Sequence, residues 1–265
     1  TDGSLIFRSG NAQPSQRPVR AVRVTRSGQA TDIDSAWSYT PGFNGGLSLS
    51  PDGSRLAVAI HGDPVGDIWI KELDRGPLSR VTFDNSIKYR PLWMPDGESV
   101  SYVIEDGQSS AILRRRADGG GAVDTVITST HTIAEAAWSG DGSWLAYRIT
   151  MPSRDIYAIR PGIDSVGIPV VASPKFDERA PTISPDGKWL AYQSDESGRD
   201  EIYIRAFPDS AAGRRQVSPA GGGEPLWSHS GRELFYRSTS GQMMAVQITT
   251  APSLTVGAEL ALFVD

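Results

Sequence analysis

The chain has 265 residues, 38% of them hydrophobic, with 28 glycines, 18 prolines and no cysteine, and its formal charge is −5. That balance leaves no electrostatic footprint for nucleic acid, and the missing cysteine excludes disulfides and thiol nucleophiles. No run of 18 consecutive apolar residues occurs, so the sequence holds no stretch of the kind that spans a bilayer as a helix. It opens on Thr1 with no signal-peptide pattern, which reads as a mature or excised piece of something longer.

A short turn motif recurs along the chain. Asp2-Gly3 opens it, and Ser50-Pro51-Asp52-Gly53, Met94-Pro95-Asp96-Gly97, Ser139-Gly140-Asp141-Gly142, Ser184-Pro185-Asp186-Gly187 and Ser228-His229-Ser230-Gly231 come after it. Pro presets φ, Asp tolerates the next position, and Gly supplies a left-handed conformation, so each copy predicts a hairpin turn. An apolar run such as Trp189-Leu190-Ala191-Tyr192 comes after each turn, as a strand. The turn glycines at 3, 53, 97, 142, 187 and 231 are spaced by 44 to 50 residues, the period of a four-stranded propeller blade. The expected fold is all-β: one six-bladed β-propeller over 1–265, with four-stranded antiparallel blades near 1–42, 43–86, 87–131, 132–176, 177–220 and 221–265. We name the strands of each repeat A to D from the channel outward, with the turn joining A to B.

The first repeat is irregular. Only two residues precede Gly3, so this blade is expected to lack its innermost strand, which would lie in a native C-terminal continuation. Residues 9–18 read as a loop, and Trp37, Tyr39 and Phe43 lie in a second loose stretch. These aromatics either pack over the junction of the first two blades or form an exposed rim patch for a partner. Trp93, Trp138 and Trp227 share one A-strand position, four residues before the turn glycine, and are expected in the core between blades. The turn acids Asp52, Asp96, Asp141 and Asp186 are spread one per blade and read as turn formers, not metal ligands.

The repeated Ser-Pro-Asp-Gly-x-x-Leu-Ala-Tyr pattern resembles the TolB-like propeller repeats. Longer strings sharpen the likeness: Asp67 to Gly76, Leu78 to Asp84, Ser194 to Pro208, and Gly223 to Arg237. They look like the C-terminal propeller of bacterial transmembrane Ser/Thr protein kinases. The resemblance implies a non-catalytic sensor domain, extracytoplasmic and bacterial, with any kinase activity outside this chain, since neither His-Arg-Asp nor Asp-Phe-Gly occurs. A free periplasmic interaction scaffold is the alternative, and a propeller hydrolase or lyase a more distant one.

No catalytic residue, metal site or cofactor is expected from the residues. His61, His131 and His229 fall in loops of different rims or radii and cannot share one zinc ion. No Gly-x-Ser-x-Gly elbow is present. The candidate site is the rim of D–A loops, which lead into the innermost strands and surround the channel mouth. Its residues are Lys88, Arg90, His131, Glu135, Asp177, Glu178, Arg179 and Glu224. They would form compensating ion pairs, or a polar socket for a peptide, protein or small ligand.

Overall fold

The computed structural model describes residues 5–9, 17–42, 44–62, 65–107, 109–151, 154–209, 213–251 and 253–264. Among them every element is a strand, and no helix is long and apolar enough to cross a membrane. The strands form six antiparallel sheets, each built from consecutive strands in chain order. The first contains β1 (Leu5–Ser9), β2 (Arg20–Val24) and β3 (Ala30–Asp32). The second contains β4 (Leu47–Leu49), β5 (Arg55–Ile60), β6 (Asp67–Glu72) and β7 (Leu78–Arg80). The third contains β8 (Ile87–Trp93), β9 (Ser99–Asp106), β10 (Ser109–Arg116) and β11 (Asp124–Ser129). The fourth contains β12 (Ile133–Trp138), β13 (Leu145–Ile149), β14 (Ile156–Ile159) and β15 (Ile168–Val171). The fifth contains β16 (Glu178–Ile183), β17 (Trp189–Ser194), β18 (Glu201–Ala206) and β19 (Arg214–Gln216). The sixth contains β20 (Gly222–Trp227), β21 (Glu233–Ser238), β22 (Gln242–Thr249) and β23 (Thr255–Val264).

This is an all-β propeller of four-stranded antiparallel sheets. Four strands are found in five of the six sheets, and the first has three among the described residues, in line with the innermost strand expected to be missing there. Those three, β1 to β3, correspond to strands B, C and D of the other sheets.

The repeated turn holds each sheet's first hairpin by a small hydrogen-bond circuit. In the fifth sheet the Gly187 N–H donates to the Ser184 carbonyl at 2.8 Å, with Gly187 at φ +71°, where a side chain would be strained. The Ser184 hydroxyl donates to Asp186 Oδ1 at 2.5 Å and accepts from the Trp189 N–H at 3.0 Å. Ser50 and Ser139 repeat the arrangement with Asp52 and Asp141. Hydrogen bonds from Ser50 and Ser54 hold the Asp52 carboxyl down to about 2, and those from Ser139 and Ser143 do the same for Asp141. The turn acids are therefore employed as acceptors inside their own turns.

The chain divides into two compact units. Residues 134–265 with 26–28 make one, and 4–25 with 29–133 the other. In the first, Ile156, Ala158 and Val170 of the fourth sheet pack against Ile183, Leu190 and Tyr192 of the fifth. Ile202 and Ile204 of the fifth pack against Trp227, Leu234 and Tyr236 of the sixth. Arg26 joins this unit through a two-pronged pair with Glu233, at 2.9 and 2.6 Å. In the other unit, Ala57, Ile68 and Ile70 pack against Trp93, Val100 and Tyr102. Trp93 and Trp227 thus lie in the core between neighbouring sheets, whereas Trp138, expected there too, is only half-buried.

The Asp52 and Asp141 carboxylates predict an acid dependence. The folded pKa of these two lies below the unfolded value of about 3.9, so their contribution is full above pH 4 and is lost as pH falls towards 2. In urea titrations, a D52N/D141N variant is expected to be less stable than the parent at pH 6 and to lose less stability between pH 4 and 2. Equal losses in the two proteins would contradict this role.

Candidate functional site

The loops that lead into β8, β12, β16 and β20 are pinned by buried polar groups at the start of the third strand of the preceding sheet. In the second sheet, the Thr82 hydroxyl donates to Asp67 Oδ1 at 2.7 Å and accepts from the Ile68 N–H at 3.0 Å. In the fifth, Ser218 stands between Glu201 and the Ile202 N–H in the same way, and Glu201 Oε2 also accepts the Gly221 N–H at 2.9 Å. In the fourth, Asp155 Oδ1 accepts the Ser173 N–H at 3.1 Å. In the third, Ser110 replaces the acid, donating to the His131 carbonyl and accepting from the Ile133 N–H, both at 2.8 Å. Sequence reasoning missed these groups, although Asp67-Ile68, Asp155-Ile156 and Glu201-Ile202 were a readable signal: an acid set immediately before a β-branched strand.

The innermost strands carry a second shared feature. The position seven residues before the turn glycine is Gly46, Arg90, Glu135, Ala180 and Glu224 in successive repeats. Arg90, Ala180 and Glu224 have φ of 52°, 50° and 57°, and Gly46 has 116°. Each of the three non-glycine residues sits at a register shift of its inner hairpin and precedes a proline, which has no N–H for the ladder to lose. Such backbone costs about 1–3 kcal/mol per residue and persists only where surroundings fix it. Here neighbouring sheets supply acceptors: the Arg90 N–H donates to the Gly45 carbonyl at 3.1 Å, Ala180 to Glu135 Oε2 at 2.6 Å, and Glu224 to Gln193 Oε1 at 3.4 Å.

In the unit of residues 134–265, three of the candidate residues, Glu135, Asp177 and Arg179, are gathered in one ion-pair cluster. Asp177 is 8% exposed and accepts from Arg154 at 2.6 Å, Arg179 at 2.8 Å and Arg148 at 3.3 Å. Arg148 also pairs with Glu135 at 3.8 Å, and its guanidinium is only 12% exposed. Arg148 and Arg154 lie outside the D–A loops, which is why loop reading did not find them. Glu178, beside Asp177, is turned inward and almost fully buried, and burial followed by the neighbouring Asp155 pushes its carboxyl up to about 8. Glu224 stands apart from this group. Its side chain is 71% exposed and accepts from Arg237 at 3.2 Å.

In the other unit, Arg90 is exposed, whereas Lys88 is buried and unavailable to a ligand. The Lys88 ammonium donates to the Asp84 and Ser86 carbonyls at 2.6 and 2.9 Å and pairs with Asp84 and Asp67 carboxylates at 3.1 and 3.3 Å. His131 is half-buried, with Nδ1 3.2 Å from the Thr130 hydroxyl. The aromatic rim is a correction. Tyr39 pairs with Val19 by reciprocal backbone hydrogen bonds and is buried against Leu56, Val58 and Leu73. Trp37 stacks on it at 5.0 Å, and Phe43 lies outside the described residues. Among the described residues, no three His, Cys, Asp or Glu side chains converge as a metal site.

Residues 21–178 match the PD40 family, the TolB beta propeller domain, over more than half of the chain. The chain belongs to this family. A structure assigned to TolB of Agrobacterium tumefaciens superposes with a TM-score of 0.70 at 22% identity, covering 89% of this chain and 84% of that one. TolB of Acinetobacter baumannii gives 0.72 at 17% identity, covering 98% of this chain and 66% of that one. The periplasmic gluconolactonase of Pseudomonas aeruginosa gives 0.62 at 20%, covering 96% and 82%. At these identities the structures share the fold. No curated protein matches the chain.

The Asp177 cluster and the Glu224 pair differ in burial, and this sets the expected cost of disturbing them. D177N removes the shortest ion pairs of three guanidiniums, leaving the nearly buried Arg148 only the longer contact with Glu135, and is expected to lower unfolding free energy by about 2–4 kcal/mol. E224Q, in an exposed pair, is expected to change it by less than about 0.5 kcal/mol. Comparable losses on denaturant unfolding would show that Asp177 is not the structural centre of the cluster.

Proposed function

We propose that this TolB-family propeller is a non-catalytic binding domain that recognises a peptide or protein through its D–A loops. The observation that carries the reading is the way charge is presented there. Buried acids pin the loops and left-handed residues fix the strand entries, so Arg179 and Glu224, with Arg154 and Arg237 paired beside them, present both signs of charge from a backbone ordered while the loops are closed. Preorganised mixed charge gives orientation and selectivity for a polar partner more than bulk affinity. We further propose an extracytoplasmic setting as the external domain of a bacterial receptor-type Ser/Thr kinase, on the strength of the strings Ser194 to Pro208 and Gly223 to Arg237. A free interaction scaffold fits the same surface.

The D–A loop reading is tested with peptides selected from a phage-displayed library on the immobilised domain. The selected peptides are expected to bind E224K or R179E at least about tenfold more weakly, a loss of about 1.4 kcal/mol, while circular dichroism and Tm of E224K stay those of the parent. Peptides that bind both variants undiminished would overturn the assignment of the surface. Turnover of lactones or peptides by the purified domain would overturn the non-catalytic reading.

A further inference from the structure

Two equivalent slots in the fold are filled by side chains of opposite charge. Lys88 and Glu178 both stand nine residues before their turn glycine, and Asp67 and Asp155 both stand immediately before the first isoleucine of their third strand. In one slot the Lys88 ammonium meets the Asp67 carboxylate and is saturated by carbonyls. In the other, Glu178 points a carboxyl at the neighbourhood of Asp155. Glu178 is 2% exposed, and its Oε2 has no hydrogen-bond partner.

Among the described residues, the charged groups that act on Glu178 offer it no counter-ion. From the preceding third strand comes Asp155, 6% exposed, which already accepts the Ser173 N–H. From the loop after β17 come Asp195, which accepts the Asp177 N–H, and Glu196, which is bound by Arg214. The adjacent Asp177 is shared by Arg148, Arg154 and Arg179, so those three cations are engaged elsewhere. Tyr192 of β17 is neutral. Burial and four carboxylates therefore act on Glu178 in the same direction. A metal ion does not answer the imbalance either, since no three of these groups converge.

We propose that Glu178 is a proton-holding switch: as the neutral acid it lets loop 172–178 close against the third strand of the preceding sheet, and on releasing its proton to solvent it drives that loop open. The opening results from the solvation cost of a carboxylate in that slot, which only water can repay. The loop is held at this end by the Glu178 N–H, which donates to the Arg154 carbonyl at 3.0 Å. Its outward movement carries Asp177 off Arg148, Arg154 and Arg179, so the charged face of the D–A loops is assembled at low pH and loosened at high pH. The sign is fixed by linkage. The closed form binds the proton more tightly than the open or unfolded chain, so closure is favoured most below the ordinary glutamate pKa, weakens as pH rises towards 8, and changes no further above it.

The switch deepens the binding reading but is tested without any ligand, so its failure would leave that reading standing. Hydrogen–deuterium exchange of the whole domain, followed by mass spectrometry from pH 5.5 to 8.5 and corrected for intrinsic rates, reads the opening directly. In the parent, protection of amides 172–178 is expected to fall at least about tenfold between pH 6 and 8, as for an opening coupled to one proton. E178Q should abolish this pH dependence. E178K should abolish it too, by forming with Asp155 the pair that Lys88 forms with Asp67, and it keeps the test available if E178Q fails to fold. A flat profile in the parent would overturn the proposal, as would an unchanged slope in either variant. Restoration of high-pH protection by added calcium or sodium would also overturn it, assigning the slot to a cation.

Discussion

A buried polar group at the entrance of the third strand is the constraint on which the rest of the structure depends. A propeller of short strands ends each sheet many times, and every end leaves N–H and carbonyl groups that are costly to bury without partners. Asp67, Asp155 and Glu201 meet that need together with Thr82, Ser173 and Ser218, and Ser110 does so in the third sheet. The same bonds hold the loop that runs inward to the next sheet. Structural saturation and presentation of the loop are thus one interaction.

The surface those loops present is set by the strands they enter. The left-handed residue of the inner hairpin is held from outside its own sheet, so strain at Arg90, Ala180 and Glu224 is tied to packing between neighbouring sheets. In the 134–265 unit the result is a graded arrangement. Asp177 with Arg148 is structural, Arg179 is half-buried beside them, Arg154 reaches outward, and Glu224, held by Arg237, is open to solvent. Glu178 stands where Lys88 stands two repeats earlier and carries the opposite charge, a local conflict of the kind that marks functional positions more often than faults.

The fold was legible because its signals are local. Ser184-Pro185-Asp186-Gly187 specifies its turn by its own hydrogen bonds, and the even spacing of the turn glycines was enough to set one sheet per repeat. Trp93 and Trp227 were readable as core from repetition alone. The site was less legible, for physical reasons. Lys88 and Arg90 are two residues apart on one strand, yet the first is buried and the second exposed, and the register shift between Tyr89 and Leu92 re-aims the remainder of the strand. Arg148 organises the cluster from the middle of a hairpin, where no loop motif draws attention to it. Trp37 and Tyr39 sit in a loose stretch by composition but are drawn inward by the bridge to Val19.

On the proposed function, the pinned loops, the fixed left-handed entries and the outward guanidiniums and carboxylates together are what suit the D–A loops to recognition. The most direct measurement of that claim is a crystal structure of the domain with a bound, selected peptide. Peptide atoms are expected within hydrogen-bond distance of Arg154, Arg179, Glu224 or Arg237, with the loop backbone unmoved from its present course. A peptide paired instead along an outer strand such as β19 or β23, with these four side chains untouched, would contradict it.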